Sequence, residues 1–301
     1  MSVRSVCADF IVGWGQNSFG GLNTPTGDDF VAVSAYNDQG LALRSDGSLV
    51  GWGAHSGFTP SGNNYVAIAG AGENSLALKS DGSIIRWDAG GGLKTPTGDD
   101  FVAIAAMLGS SNVALRSDGS LLGWGTNDFG QTDVPAGNDY VAISGGDRFG
   151  LALRSDGSLA GWGDNQFGQT DVPSGNDYVA VTAGSSSGLA IRSDGTLDAW
   201  GSLAIIPVPA GNDFSAVAAW GVTGVALRSD GSLSSWGHVG DLRNVPSGNT
   251  FTAIEVGGGW GLALSTEAYG DPQVIPTPSA VLLGTIGMAF AGWRLRKRKE
   301  L

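Results

Sequence analysis

The sequence predicts an all-β fold, a seven-bladed β-propeller closed by pairing of its N- and C-terminal strands, with a short hydrophobic helix after it. Three observations predict this. A turn of the form Pro-x-Gly-polar-polar-aromatic begins at Pro25, Pro60, Pro96, Pro135, Pro173, Pro209 and Pro246, a spacing of 35 to 39 residues. A tryptophan keeps the same period at Trp14, Trp52, Trp87, Trp124, Trp162, Trp200 and Trp236. A Ser-Asp-Gly turn recurs only six times, at Asp46, Asp81, Asp118, Asp156, Asp194 and Asp230. A unit this short cannot bury its own apolar faces, so the copies must stack on one another.

The copy that starts at Pro135 shows each element in order. Pro135-Ala136-Gly137-Asn138-Asp139 is turn chemistry, because proline presets φ, glycine permits positive φ and Asn or Asp bonds nearby backbone. Tyr140-Val141-Ala142-Ile143 follows as a first strand, rich in aromatic and β-branched residues. A variable link over 145–149 leads to a second strand, Gly150-Leu151-Ala152-Leu153-Arg154, with Leu151 and Leu153 on one face and Ala152 on the other. Ser155-Asp156-Gly157-Ser158 is a hairpin signal. Leu159-Ala160-Gly161-Trp162-Gly163 is the third strand, and a short fourth strand is expected near 169–172. The glycines flanking each tryptophan are expected to let the indole lie close to a neighbouring backbone. A buried Trp removes roughly 150–250 Å² from water, worth several kcal/mol at about 25 cal/mol per Å² before entropy. The tryptophans are therefore read as glue between units rather than as sugar-stacking platforms.

The uneven counts set the closure. Phe10-Ile11-Val12-Gly13-Trp14-Gly15 matches a third strand, while Phe251 to Ile254 and Gly261-Leu262-Ala263-Leu264 match only a first and a second. Pairing the two ends completes a seventh blade and leaves no open sheet edge. The expected organisation is a propeller over 1–265, a linker over 266–275 and a membrane or sorting segment over 276–301.

Composition narrows the function classes. The 301 residues include 51 glycines, at fixed places in the repeat, and one cysteine, Cys7, which excludes a disulfide framework or a cysteine-held zinc. Five of the 16 basic residues lie in the last eight positions, which leaves 27 acids against 11 bases before them. So acidic a body disfavours nucleic acid as a partner. His55 and His238 occupy unrelated repeat phases, so no catalytic base is expected. The repeated Asp-Gly turns need no calcium, and no phosphate-cradling element is present. No enzyme activity, cofactor or metal is expected.

Leu151-Ala152-Leu153-Arg154-Ser155-Asp156-Gly157-Ser158-Leu159, then Gly161-Trp162-Gly163, then Asn165-Gln166-Phe167-Gly168-Gln169 resembles the regulator of chromosome condensation repeat; Asn127-Asp128-Phe129-Gly130-Gln131 repeats the last element. The likeness covers about residues 8–265. It implies a seven-bladed propeller whose split blade is closed by both termini. Some copies depart from the pattern: Arg86-Trp87-Asp88 replaces Gly-Trp-Gly, the copy ending at Trp200 lacks the Asn-x-Phe-Gly-Gln loop, and no copy has the histidine usual before the second strand. No repeat is long enough for the inserted wedge that exchange-factor members use. Members that bind proteins, secreted β-lactamase inhibitors among them, do so through rim loops.

A partner surface is sought where the copies disagree, in the link between first and second strands. Tyr36, Met107, Arg148, Phe149, Trp220 and Trp260 have the composition of an interface hot spot. They are the expected binding residues.

The tail gives an address. Pro276-Thr277-Pro278 precedes an apolar run over 280–293 and the basic cluster Arg294, Arg296, Lys297, Arg298 and Lys299. With the preceding residues the run approaches the roughly 20 needed to span a bilayer, basic end on the cytoplasmic side. This order resembles the PEP-CTERM sorting signal, with Thr277 where a Glu is usual. The resemblance implies an exosortase-type processing enzyme as a partner, along with the membrane. Since residues 1–10 hold no apolar segment, an in-frame signal peptide is expected upstream. The sequence therefore reads as a non-enzymatic exported propeller at the cell envelope, binding extracellular protein or polysaccharide. The alternative is a secreted lectin or inhibitor module.

Overall fold

The computed structural model describes residues 9–268, except 18–19, 37–38, 54–58, 72–73, 88–94, 205, 238–241 and 243. These residues form seven three-stranded antiparallel sheets. Blade 1 is Phe30–Tyr36, Gln39–Arg44 and Leu49–Gly53; blade 2 is Tyr65–Ala71, Asn74–Lys79 and Ile84–Trp87; blade 3 is Phe101–Ala106, Asn112–Arg116 and Leu121–Trp124. Blade 4 is Tyr140–Gly145, Phe149–Arg154 and Leu159–Gly163, and blade 5 is Tyr178–Ala183, Ser187–Arg192 and Leu197–Gly201. Blade 6 is Phe214–Trp220, Thr223–Arg228 and Leu233–Gly237. Blade 7 joins Phe251–Gly257 and Trp260–Ser265 to Phe10–Gly15 from the other end of the chain. First strands of successive blades touch all the way round, and blade 7 touches blade 1, so the ring is closed.

The closure has the expected register: Ile11 pairs with Leu264, Gly13 with Leu262 and Trp14 with Gly261. Each first strand carries a β-bulge at its second residue, seen in blade 4 as a register shift between Tyr140 and Ala142. The extra residue lets Tyr140, Ala142 and Ile143 all reach the interior, which strict alternation forbids. Second strands lie between neighbouring blades and are buried on both faces, as Leu151, Ala152 and Leu153 show.

The Ser-Asp-Gly turns join blades as well as strands. Gly157 sits at φ +86°, and a Cβ there would meet the Asn176 carbonyl at 2.2 Å, so glycine is required twice over. Its carbonyl accepts a hydrogen bond from Tyr178 N, the first residue of the next blade, at 3.1 Å. Asp156 Oδ1 accepts from both Ser158 N and Ser158 Oγ, which fixes the turn.

The tryptophans are the predicted glue, but the glycine bed lies elsewhere than expected. Trp162 packs with Val113 and Leu115 of blade 3 as well as with Tyr140 and Ile143 of its own blade. Its indole lies on Gly150, its cross-strand partner, where a Cβ would be 2.1 Å from the ring. The flanking Gly161 and Gly163 instead make room for the backbone of Thr170 and Arg148. Glycine faces Trp14, Trp52, Trp162, Trp200 and Trp236, and all five are buried. Ser75 faces Trp87 and Asn112 faces Trp124, and these two indoles are only half-buried.

No strand forms at 169–172. Gln169 Oε1 accepts from Phe167 N and Asn165 Oδ1 accepts from Thr170 N, which curls the segment into a loop. The linker beyond residue 268, the tail over 276–301, His55 and His238 lie outside the described residues. No helix among the described residues is long and apolar enough to cross a membrane.

Candidate functional site

Two unlike faces follow from the strand directions. One face carries the proline and Ser-Asp-Gly turns. Here an Arg at the end of the second strand reaches back to the Asp that precedes the first. Arg154 Nη1 lies 2.8 Å from Asp139 Oδ1, with its guanidinium 4.6 Å above the Tyr140 ring. Arg44, Arg116, Arg192 and Arg228 repeat the arrangement with Asp29, Asp100, Asp177 and Asp213. Blade 7 replaces both partners at once, and Thr250 Oγ1 and Ser265 Oγ lie 2.7 Å apart. These pairs are a quarter to two-fifths exposed, so each is worth at most about 1 kcal/mol. They tie down the turns and have the character of framework.

The opposite face carries the first-to-second-strand links and the Asn-x-Phe-Gly-Gln loops. Each such loop reaches the next blade. Gln131 and Gln169 present their main-chain carbonyls to the indoles of Trp162 and Trp200, at 2.9 and 2.8 Å. Gly21 does the same for Trp52 at 2.7 Å. The loop after blade 5 lacks the motif, and Trp236 Nε1 has no partner among the described residues. The loop is thus a structural staple that leaves its phenylalanine at the tip. Phe129 and Phe167 are 37% and 59% exposed. Arg148 stacks 4.3 Å above Phe129, whereas Ser186 occupies the equivalent link position beside Phe167.

At the centre of this face an axial cavity of about 80 Å³ opens, walled by the ends of all seven first strands. Tyr36 of blade 1 crosses its mouth. The phenol donates to Asp147 Oδ1 of the blade 4 link at 3.2 Å, and the ring meets Trp220 of blade 6 edge to face, centroids 5.0 Å apart. Burial pushes the Asp147 carboxyl up to about 6, against the lowering effects of the Tyr36 hydroxyl and of Arg148. The Tyr36 phenol is pushed well above its usual range by burial first and by Asp147 second. Deeper on the wall, burial pushes the Glu255 carboxyl up to about 8. Glu255 lines the cavity and is half-buried.

The six residues expected at a contact rim therefore divide. Tyr36 and Trp220 come together at the axial mouth, and Arg148 is exposed beside it. Met107, Phe149 and Trp260 are at most 2% exposed and belong to the layers between blades, which removes them from any contact surface. Phe149 and Trp260 open second strands, a position buried in every blade, which explains why large apolar side chains are tolerated there. Asp147, Glu255, Phe129 and Phe167 were not singled out from the sequence. Among the described residues no group of three metal-ligating side chains exists.

Seven three-stranded blades, a Ser-Asp-Gly hairpin in six of them and a blade shared by the two ends define a seven-bladed β-propeller. The model of the regulator of chromosome condensation (RCC1) repeat matches residues 140–169, which are blade 4 and its loop. That copy keeps the glycine bed, Gly-Trp-Gly and Asn-x-Phe-Gly-Gln together. Among solved structures the chain is similar to Prp20p of Saccharomyces cerevisiae, at 18% identity, with 99% of this chain and 96% of that chain covered and a TM-score of 0.70. The same yeast protein in complex with Kap60 gives 19% identity, coverage of 88% and 90%, and a TM-score of 0.69. Human WBSCR16 gives 14% identity, coverage of 86% and 99%, and a TM-score of 0.65. At these identities the likeness is one of fold. No curated protein sequence matches the chain.

Proposed function

We propose that this chain is a non-enzymatic protein-binding propeller that docks its partner on the link face. The observation that carries this reading is the uneven distribution of chemistry between the faces. The turn face repeats one Arg–Asp clamp five times, whereas the link face differs from blade to blade and exposes Phe129, Phe167 and Arg148 around the half-buried Tyr36–Trp220 pair. Aromatic and Arg side chains on a rigid frame are the usual anchors of protein interfaces. Prp20p, whose fold this chain shares, is described as binding Gsp1p and histones, and it forms a complex with Kap60. That precedent supports protein as the ligand class without naming the partner.

The test is capture from the native host on the immobilised full-length chain, with F129A, F167A and R148A compared with wild type. A partner retained by wild type and lost from the variants, at unchanged melting temperature, supports the assignment. Equal retention by all four sinks it, and recovery of polysaccharide instead of protein favours the lectin alternative.

The address proposed with this function is export to the cell envelope. It rests on the order Pro276-Thr277-Pro278, apolar run, basic cluster, with an exosortase-type enzyme and the membrane as the implied partners. Mass spectrometry of the mature protein tests it: a C-terminus near Pro276 and recovery outside the cytosol support it. An intact tail on a cytosolic protein overturns it.

A further inference from the structure

Glu255 breaks a seven-fold pattern. The register aligns it with Ser34, Ala69, Ala105, Ser144, Thr182 and Ala218 in the other blades, each small and none ionisable. The nearby Val256 N–H lowers the carboxyl's pKa, but burial outweighs it. Among the described residues no Lys, Arg or His lines the cavity. A carboxyl this enclosed without a counter-charge is costly when ionised, and an entering cation removes that cost.

The walls select the kind of cation. A hard divalent ion wants six or more oxygens, whereas among the described residues the lining offers two carboxyls and the hydroxyls of Ser34, Ser144 and Thr182, the first two of which already accept from Gly70 N and Ala183 N. Tyr36 and Trp220 both line the cavity, and aromatic walls favour an organic cation. Asp147 spends one oxygen on Tyr36 and keeps the other for a further donor. The volume of about 80 Å³ corresponds to roughly two or three waters at about 30 Å³ each, room for an ammonium head and its first methylenes with the rest of the stem in the open mouth. An ammonium brings three donors to a wall that carries Glu255 and Asp147, and its apolar stem suits Ala105 and Ala183, which line the same cavity.

We propose that the axial cavity is a binding site for a primary alkylammonium group, the chemistry shared by a lysine side chain of a docked protein and a free alkylamine. The lysine source deepens the link-face docking reading and rests on it; the free-amine source does not. Among the described residues the titratable groups on the wall are Tyr36, Asp147 and Glu255, with Arg148 beside Asp147. Glu255, raised to about 8, is mostly protonated at pH 7, so binding an ammonium there releases a proton.

The full-length chain is titrated calorimetrically with n-butylammonium chloride and, separately, with an end-capped Gly-Lys-Gly peptide. Saturable binding of butylammonium with proton release at pH 7, weakened at least tenfold in E255Q, is expected. Binding of the peptide as well assigns the lysine source; butylammonium alone assigns a free amine. A wild-type series guards against misfolding of E255Q. Affinity for butylammonium rises about tenfold from pH 7 to 9 as a group near 8 ionises while the amine stays charged. No saturable binding of either compound at millimolar concentration overturns the proposal, and so does an affinity indifferent to both E255Q and pH. Butylammonium binding without capture of any partner protein rejects the docking reading and leaves the amine site standing.

Discussion

Asp9 and Phe30 exchange both of their backbone hydrogen bonds, N to O at 3.1 Å in one direction and 3.3 Å in the other, across the junction where the ring closes. At the other six junctions a Ser-Asp-Gly glycine supplies the carbonyl, as Gly157 does for Tyr178 and Gly119 for Tyr140. Blade 7 has no such turn, because its second and third strands come from opposite ends of the chain. The Asp9 carbonyl stands in for the missing glycine, and the ring of seven contacts is complete.

The Asp9 side chain pays for that position. Its carboxyl is buried, takes the Thr252 hydroxyl on one oxygen, and has no partner for the other among the described residues. Burial raises its pKa despite Thr252. With the folded value above the unfolded one, the group favours the fold fully at low pH, and that contribution is lost as pH rises through the folded pKa. D9N keeps an acceptor for Thr252 and removes the charge. It is expected to stabilise at pH 7 by about 1 kcal/mol, or roughly 2–4 °C in Tm, with the gain vanishing near pH 3. Thermal melts of both proteins across that range check it, and a lower Tm for D9N at pH 7 contradicts it.

Two tryptophans with the same place in the repeat should differ when truncated. Trp162 is buried on its glycine bed and donates to the Gln131 carbonyl, so W162F leaves a hole and an orphaned acceptor. A loss of about 2–3 kcal/mol is expected. Trp124 is half-buried, and its indole nitrogen has no partner among the described residues, so W124F removes an unmet donor. Its cost should stay below about 1 kcal/mol. Denaturant unfolding of both variants decides, and equal losses would refute the staple.

Two glycines on strands part company for the same reason. A Cβ on Gly150 lands 2.1 Å from the Trp162 ring, which is locked by its own hydrogen bond and cannot yield. G150A should cost about 3 kcal/mol through overpacking. Gly70, at the axial cavity, has only the Ser34 hydroxyl 3.5 Å away, and G70A should stay within about 1 kcal/mol of wild type. If chemical denaturation places the two variants together, the bed is not the constraint.

These contrasts mark where the sequence was readable. Turn residues act locally, so Pro135 to Asp139, Ser155 to Ser158 and the split between Trp14 and Gly261 could be read without coordinates. The bulge at Val141 could not, because it depends on how the Tyr140 and Ala142 faces share one interior. At the rim, variability alone picked Tyr36 and Trp220 together with Phe149 and Trp260, which differ in strand position rather than in chemistry. Aligning the copies by register separates them, since the first residue of every second strand is buried. The same alignment exposes Glu255 among six small residues.

The Tyr36–Asp147 bond makes a pH-dependent prediction about the axial mouth. Asp147 titrates near 6, above its unfolded value, so its contribution favours the fold at low pH and is lost as pH rises through 6. The Tyr36 hydroxyl holds that value down by bonding the charged form. Y36F keeps the ring and its edge contact with Trp220 and deletes only the donor. The Asp147 titration should then move upward, and the ionised carboxyl should become costlier at neutral pH. The stability gap between wild type and Y36F is expected to be small at pH 4 and to widen to about 1.5–3 kcal/mol at pH 8, the range for a hydrogen bond to a charged group. Carboxyl-carbon NMR follows the titration, and denaturant unfolding follows the gap. A gap that is the same at both pH values would mean that Asp147 ionises without help from Tyr36.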